Sequence, residues 1–243
     1  MTDKLAGQTV VVVGGSAGIG LATAYRARAE GAEVVLTGRT PDRLARAGAK
    51  LGARSTAAFD ATDQDALDRF FADLPTVDHV FVTAGSPSYG RVLDLDLEKA
   101  RQDLDAHLWL PLRIAQLSVH SVRMGGTLLF MGGTGGRRPG IGLALTGTLT
   151  LGLPALVANL ALELAPTRVN LIAAGFVDTP LSASLLGDQL DARREELRTT
   201  LPIRRVVGPD DVAALAIHLM TNTALTGATY DIDGGQQLVP AGG

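Results

Sequence analysis

The sequence predicts an α/β fold, a doubly wound parallel sheet with helices on both faces. Two observations carry that prediction and a third puts a ligand site on it. Short apolar runs alternate with helix-like segments along all 243 residues, the pattern of strands joined by crossover helices. The first run, Val10-Val11-Val12-Val13, is β-branched throughout with no polar alternation, as in a strand buried on both faces. It enters Gly14-Gly15-Ser16-Ala17-Gly18-Ile19-Gly20, and residues 21–29 beyond are mostly good helix formers. Strand, glycine turn and helix together form a phosphate site. The glycines admit a pyrophosphate close to the backbone, and the helix N-terminus aims N–H groups and a positive dipole end at it.

The other elements follow in order. Glu33-Val34-Val35-Leu36-Thr37 is a second strand and residues 41–51 a second helix. Residues 55–59 form a third strand, and the helix at 64–74 takes Thr62 or Asp63 as its cap. His79-Val80-Phe81-Val82-Thr83 is a fourth strand ending in Ala84-Gly85, and a long helix spans about 97–122. Thr127-Leu128-Leu129-Phe130-Met131 is a fifth strand, opening into Gly132-Gly133-Thr134-Gly135-Gly136. An apolar helix at about 142–165 precedes a sixth strand at 168–173. Residues 181–200, after Thr179-Pro180, are polar and helical, and about 180–205 reads as a lid or substrate loop. Pro209 and Asp210 start a helix that runs to Met220. Residues 229–233 are a last strand, and 240–243 a loose tail. With no linker or repeat, residues 1–243 read as a single domain.

Composition narrows the function. Apolar residues make up 46%, enough for a two-sided core. The net charge of −3 is spread over both signs, with no basic block to bind nucleic acid. Cysteine is absent, which excludes disulfides and thiolate metal sites and fits a cytoplasmic protein; no metal site is expected. Residues 1–5 lack the apolar core of a signal peptide. Residues 143–162 carry no charge and reach membrane-spanning length. They include Gly147, Gly152, Pro154 and Asn159 and lie between strands of one sheet. The expectation is therefore no membrane span, but a helix buried on nearly all sides, against the sheet and a second subunit.

In an open parallel sheet, ligands bind outside the carboxyl ends of the strands. Gly14 to Gly20, Thr37-Gly38-Arg39, Asp60-Ala61, Thr83-Ala84-Gly85, Gly132 to Gly136 and Ala174 to Thr179 all fall there. A ribose 2′-OH would be held by an acid at the end of the second strand. Here there is none, and the Arg39 guanidinium suits a 2′-phosphate instead. NADP(H) is expected over NAD(H).

Over nearly its whole length the chain resembles the short-chain dehydrogenases/reductases. The residues that carry the resemblance are the glycine loop, Asp60, Thr83-Ala84-Gly85, Leu162-Glu163-Leu164-Ala165-Pro166 with Arg168-Val169-Asn170, Gly175-Phe176-Val177-Asp178-Thr179-Pro180, Thr226-Gly227 and Asp233-Gly234-Gly235. The resemblance implies a Rossmann-type domain, a nicotinamide cofactor, a small-molecule substrate, and a homodimer or homotetramer built through the helices at about 97–122 and 142–165. It implies that Gly14, Ser16, Ala17, Gly18, Ile19 and Gly20 cradle the cofactor and that Asp60, beside Ala61, faces the adenine edge. Ala84 and Gly85 line the cofactor, and Thr179, with Gly175 and Val177, meets the carboxamide.

The departures from the family decide the chemistry. Carbonyl-reducing members carry Tyr-x-x-x-Lys on the apolar helix, a serine after the fifth strand and an asparagine on the preceding helix. Counting back from Leu162, the tyrosine position falls on Thr146 and the lysine position on Thr150. The serine position is Gly132 or Gly133, with Thr134 the adjacent hydroxyl, and the asparagine position holds His107. No tyrosine lies between Tyr89 and Tyr230, and no lysine beyond Lys99. Threonine is no acid near neutral pH, whereas an imidazole titrates there, so His107 is the local acid. The expected activity is NADP(H)-dependent hydride transfer to or from a carbonyl or imine, in a non-standard site of His107, Thr134, Thr146 and Thr150. The alternatives are a weak or inactive NADP(H)-binding sensor or regulator, and a structural partner of an active homologous subunit. Thr146→Tyr with Thr150→Lys is expected to raise activity on an intact scaffold. Arg137-Arg138 reads as a solvated surface pair, or else as an attractor of anionic substrate.

Overall fold

Seven strands, each parallel to its neighbours, form one sheet in the order β3-β2-β1-β4-β5-β6-β7. The computed structural model describes residues 3–239, so the expected tail at 240–243 lies outside the described residues. The strands are β1 (Thr9–Val13), β2 (Glu33–Gly38), β3 (Ser55–Ala58), β4 (Val77–Val82), β5 (Val122–Gly133), β6 (Arg168–Ala174) and β7 (Thr229–Ile232). The helices are α1 (Gly18–Ala29), α2 (Pro41–Leu51), α3 (Gln64–Ala72), α4 (Leu97–Leu104), α5 (Leu110–Ser121), α6 (Ala144–Glu163), α7 (Pro180–Leu186), α8 (Leu190–Thr200) and α9 (Pro209–Thr221).

All five residues of β1 are buried, and successive valines serve opposite layers. Val10 and Val12 join Leu36, Phe81 and Ile172 in the core that α1 and α9 cover. Val11 and Val13 join Val80 and Phe130 in the core under α3, α5 and α6. Each buried valine contributes roughly 1.5–3 kcal/mol over an exposed one, and none of the four has a solvated face. Strand order reverses between β1 and β4, which opens the crevice where such sheets bind ligands.

Three expectations change. The helix expected at 97–122 is α4, a π-helical turn at Asp105–Trp109, and α5. Pro111 supplies the reason. It has no N–H for the carbonyl of His107, and its ring crowds that carbonyl, so the regular ladder cannot pass. Val122 belongs to β5, which begins five residues before the expected start at Thr127. β4 likewise starts at Val77, and the β4–β5 register slips between Val77 and His79. Gly125, at φ 78, and Gly126 break the apolar alternation there. The polar helix at 181–200 divides into α7 and α8 at Gly187, which has a φ of 51. Within the one chain, α6 is buried on its sheet side. Leu153, Val157, Leu160 and Ala161 face the sheet, while Leu151 and Leu162 are exposed. The helix is long and apolar enough to cross a membrane, but it packs against β5 and β6.

Polar groups join the late strands to the last helix. Arg168 is buried, and its guanidinium donates to the carbonyls of Leu219 (2.7 Å), Met220 (2.7 Å), Asn222 (3.1 Å) and Leu225 (3.2 Å), and to Thr127 Oγ1 (2.6 Å). A cation at the C-terminal end of α9 complements the helix dipole. His79 lies in register with Thr127 and Arg168 on the same face of the sheet.

Candidate active site

The glycine loop is shaped by its contact with β4. The Thr83 hydroxyl sits 3.2 Å from the Val13 carbonyl and 3.1 Å from that of Gly14. A Cβ on Gly14 would lie 2.8 Å from both Thr83 Oγ1 and the Ala84 nitrogen, and one on Gly20 would lie 2.5 Å from the Gly14 carbonyl. Both positions therefore require glycine. Helix α1 then starts with no capping side chain on Ala17 and no acid in its first turn. Its leading N–H groups and dipole end are left to whatever occupies the loop. Gly18, with a φ of 54, faces Thr179, whose Cβ lies 3.6 Å from where a Gly18 side chain would begin.

One side of the loop carries positive charge. Buried Ser16 accepts a hydrogen bond from Arg43 Nε at 3.3 Å, and a Cβ on Gly38 would touch Ser16 Oγ at 3.1 Å. Arg39, next in sequence after Gly38, is exposed. The Arg43 guanidinium, from the first turn of α2, thus meets Ser16, and Arg39 stands exposed at the end of β2. Arg43 was not foreseen; the i, i+4 spacing from Arg39 across Thr40-Pro41 was the available signal. Asp60 is exposed, and its Oδ1 accepts from the nitrogen (3.0 Å) and hydroxyl (2.8 Å) of Thr62, ahead of the α3 cap made by Asp63. Ala61 beside it is buried.

His107 lies in the π-helical turn. Its Nδ1 is 3.0 Å from the Asp103 carbonyl, which can only accept, so Nδ1 carries a proton. Nε2 is directed toward Gly85, 3.3 Å from where a Cβ on that glycine would stand. The ring thus reaches the Ala84-Gly85 turn at the end of β4.

The three threonines are engaged elsewhere. Buried Thr146 donates to the Ser88 carbonyl at 2.6 Å. Ser88 is itself fixed by the buried Asp103 carboxylate, which accepts from the Ser88 nitrogen (3.1 Å) and hydroxyl (3.0 Å). Asp103 was not foreseen, because a lone acid on a polar helix gives no signal of its own. Thr150 donates back to the Thr146 carbonyl at 2.8 Å, and a Cβ on Gly136 would lie 2.2 Å from its hydroxyl oxygen and 2.6 Å from the Gly147 carbonyl. The loop after β5 is thus pressed on α6 at a glycine–glycine contact. Thr134 is fully buried and accepts from Gln237 Nε2 at 3.1 Å. Each of the three hydroxyls thus has a protein partner, and Thr146 connects to His107 through Ser88 and Asp103.

Thr179 caps α7: its hydroxyl accepts from the Ser182 nitrogen at 3.3 Å while Ser182 Oγ accepts from the Thr179 nitrogen at 2.8 Å. Val177 is buried and bridges to Val207. A Cβ on Gly175 would lie 2.6 Å from Gln236 Oε1, so the turn after β7 closes over this loop. Arg194 holds α8 against it through a two-pronged pair with Asp178 at 2.9 and 2.8 Å. Arg137 is exposed, as expected of a surface residue, and pairs with Asp231, while Arg138 donates to the Val239 carbonyl.

A family model described as enoyl-(acyl carrier protein) reductase matches residues 13–237. The NADP-dependent (R)-specific alcohol dehydrogenase of Lentilactobacillus kefiri is 29% identical over 256 residues, covering 97% of this chain and 98% of its own. Among solved structures, the MalC reductase/Diels-Alderase from Malbranchea aurantiaca has the same fold, with a TM-score of 0.90 at 24% identity over 98% of this chain and 99% of its own. BdcA in complex with NADPH has a TM-score of 0.86 at 27% identity, over 96% of this chain and 95% of its own.

Proposed function

The chain belongs to the short-chain dehydrogenase/reductase family, and from that membership we propose that it is an NADP(H)-binding oxidoreductase acting on a carbonyl or imine, with His107 as proton donor. The observation that carries the cofactor reading is Arg39, exposed at the end of β2 where an NAD-binding acid would otherwise stand, with Arg43 donating to Ser16 of the glycine loop. The NADP dependence of the Lentilactobacillus relative and the NADPH complex of BdcA support it.

The residues present fit the group. Gly14 to Gly20 and the uncapped start of α1 hold the pyrophosphate, and Arg39 and Arg43 the 2′-phosphate. Ala61, Ala84 and Gly85 line the cofactor, Asp60 offers its second carboxylate oxygen to the adenine edge, and Gly175, Val177 and Thr179 flank the nicotinamide end. When bound, the cofactor supplies or accepts hydride. The chain's own part is the proton. With Nδ1–H committed to the Asp103 carbonyl, Nε2 is where His107 takes up and releases the second proton of the imidazolium. Asp103 positions both that ring, through its carbonyl, and the Ser88 loop, through its carboxylate. Helices α7 and α8 form the lid over the site, tied down by Arg194 and Asp178. The exposed face of α6, with Leu151, Ala155 and Leu162, and the neighbouring α4–α5 carry the homo-oligomer contact.

One observation favours a second reading, an NADP(H)-binding sensor with little turnover. The hydroxyls of Thr146 and Thr150 are both spent on backbone carbonyls. Titration with NADPH and NADH, followed by NADPH oxidation across a panel of carbonyls and imines, separates the two readings. Preferential NADPH binding with turnover supports the oxidoreductase, and binding without turnover the sensor. NADH binding as tight as NADPH would overturn the cofactor assignment.

A further inference from the structure

A cavity of about 410 Å³ opens between the loop after β4 and the loop joining β5 to α6. Its walls are largely apolar, with Val92, Leu93 and Ile141 on them, and Leu93 and Ile141 are 93% and 85% exposed. Arg91 and Arg138 are the charged residues that line it; no Asp, Glu or His does so among the described residues. Neither arginine has a carboxylate partner among the described residues, and Arg138 donates only to the Val239 carbonyl. The contrast is local. Arg137, one residue away, is neutralised by Asp231, and Arg194 on the lid by Asp178. Two guanidiniums without counter-charge therefore border one apolar hollow.

The cavity adjoins the candidate active site. Gly136 and Gly147 line it, and they are the pair in contact beside Thr146 and Thr150. Its rim is fixed where the Gly90 nitrogen donates to the Gly142 carbonyl at 3.1 Å. A ligand seated there lies beside the helical turn that begins at Thr146.

We infer that the substrate is an amphiphilic anion, an apolar body ending in a carboxylate or phosphate, held in this cavity with its anionic end on Arg91 and Arg138. Apolar walls with a few convergent polar groups are the usual composition of a small-molecule site. Guanidinium is the cation best matched to both oxyanions, through paired charge-assisted hydrogen bonds. The inference rests on the oxidoreductase reading for its link to chemistry, but its binding test does not require cofactor.

The test is calorimetric titration of the cofactor-free protein with octanoate, octyl phosphate, 1-octanol and acetate. Octanoate or octyl phosphate, or both, should bind, with 1-octanol about tenfold weaker or worse and acetate giving no heat. The stronger of the two anions identifies the head group. Arg91→Met with Arg138→Met keeps the apolar stems and should bring the anion down to the level of 1-octanol, with the NADPH Kd within about twofold of wild type. Should loss of the Arg138–Val239 contact unfold the double variant, Arg91→Met alone, at an exposed residue, should still weaken the anion about threefold or more. Binding of 1-octanol as tight as octanoate, no binding of either anion, or unchanged anion affinity in the variants would overturn the inference. Failure of NADPH to bind, with the anion still bound, would instead sink the cofactor reading alone.

Discussion

The hydroxyl of Thr146 donates to the backbone carbonyl of Ser88 at 2.6 Å, tying α6 to the loop after β4. The residue at the expected acid position is thus a brace. Thr146→Val should lower unfolding free energy by about 1 kcal/mol, the typical net worth of one hydrogen bond, and leave turnover per folded molecule unchanged. Urea denaturation beside an activity assay checks both halves.

The same geometry reverses the expected outcome of Thr146→Tyr with Thr150→Lys. A tyrosine ring must enter buried space against Ser88, and a lysine stem must pass Gly133 and Gly136. Overpacking of this kind typically costs about 1–3 kcal/mol. The double variant should melt lower than wild type and gain no reductase activity; a gain would mean that the 132–136 loop yields.

His107→Gln should lower kcat/KM for a carbonyl or imine about 10²- to 10⁴-fold, the usual contribution of a positioned acid. NADPH affinity should not move. Steady-state kinetics with a parallel binding titration decides it, and an unchanged rate would remove His107 from the chemistry.

Arg39→Ala and Arg43→Ala should each weaken NADPH by about 10- to 100-fold, since a hydrogen bond to a charged group is worth about 1.5–3 kcal/mol. NADH affinity should stay as it was, because the lost contact is to the 2′-phosphate. Equal loss for both cofactors would mean that the arginines act on the fold instead.

Stability should fall on acidification through His79. Burial lowers its pKa to about 4 from the ordinary 6.5; attraction to Asp78 opposes the shift and repulsion from Arg168 adds to it. Between those values the unfolded chain binds a proton that the folded one refuses. Stability is therefore fully present above about pH 6.5, declines as pH drops toward 4, and levels below that. The loss reaches about 3 kcal/mol by the linkage of 1.36 kcal/mol per unit. Urea titrations from pH 7 to 4 should show it, and His79→Gln should flatten that part of the curve.

The fold was legible because the valines of β1 admit only a two-sided strand, and the glycine loop marks the crevice they lead to. What the sequence hid is contact between distant segments. Residues 97–122 read as one helix, and Pro111 within it did not reveal a π turn presenting His107 toward Gly85. Thr146 and Ser88 are 58 residues apart, and nothing local in either reveals that one hydroxyl is spent on the other's carbonyl. Arg43 reads as a helix surface residue until β2 brings Ser16 beside α2. The apolar run of α6 predicted burial, yet only the sheet-facing side finds it within one chain.

Arg168 also bears on the order in which this chain can become itself. Its guanidinium is buried in β6, and apart from Thr127 all its acceptors lie at or beyond Leu219. A nascent chain that has emerged only to residue 218 would have to bury a cation with a single hydroxyl for company. The sixth strand therefore cannot lock until the last helix arrives. Completion of the sheet is a late event in synthesis, and a fragment lacking the C-terminal end of α9 should be captured by chaperones rather than persist as a smaller native protein.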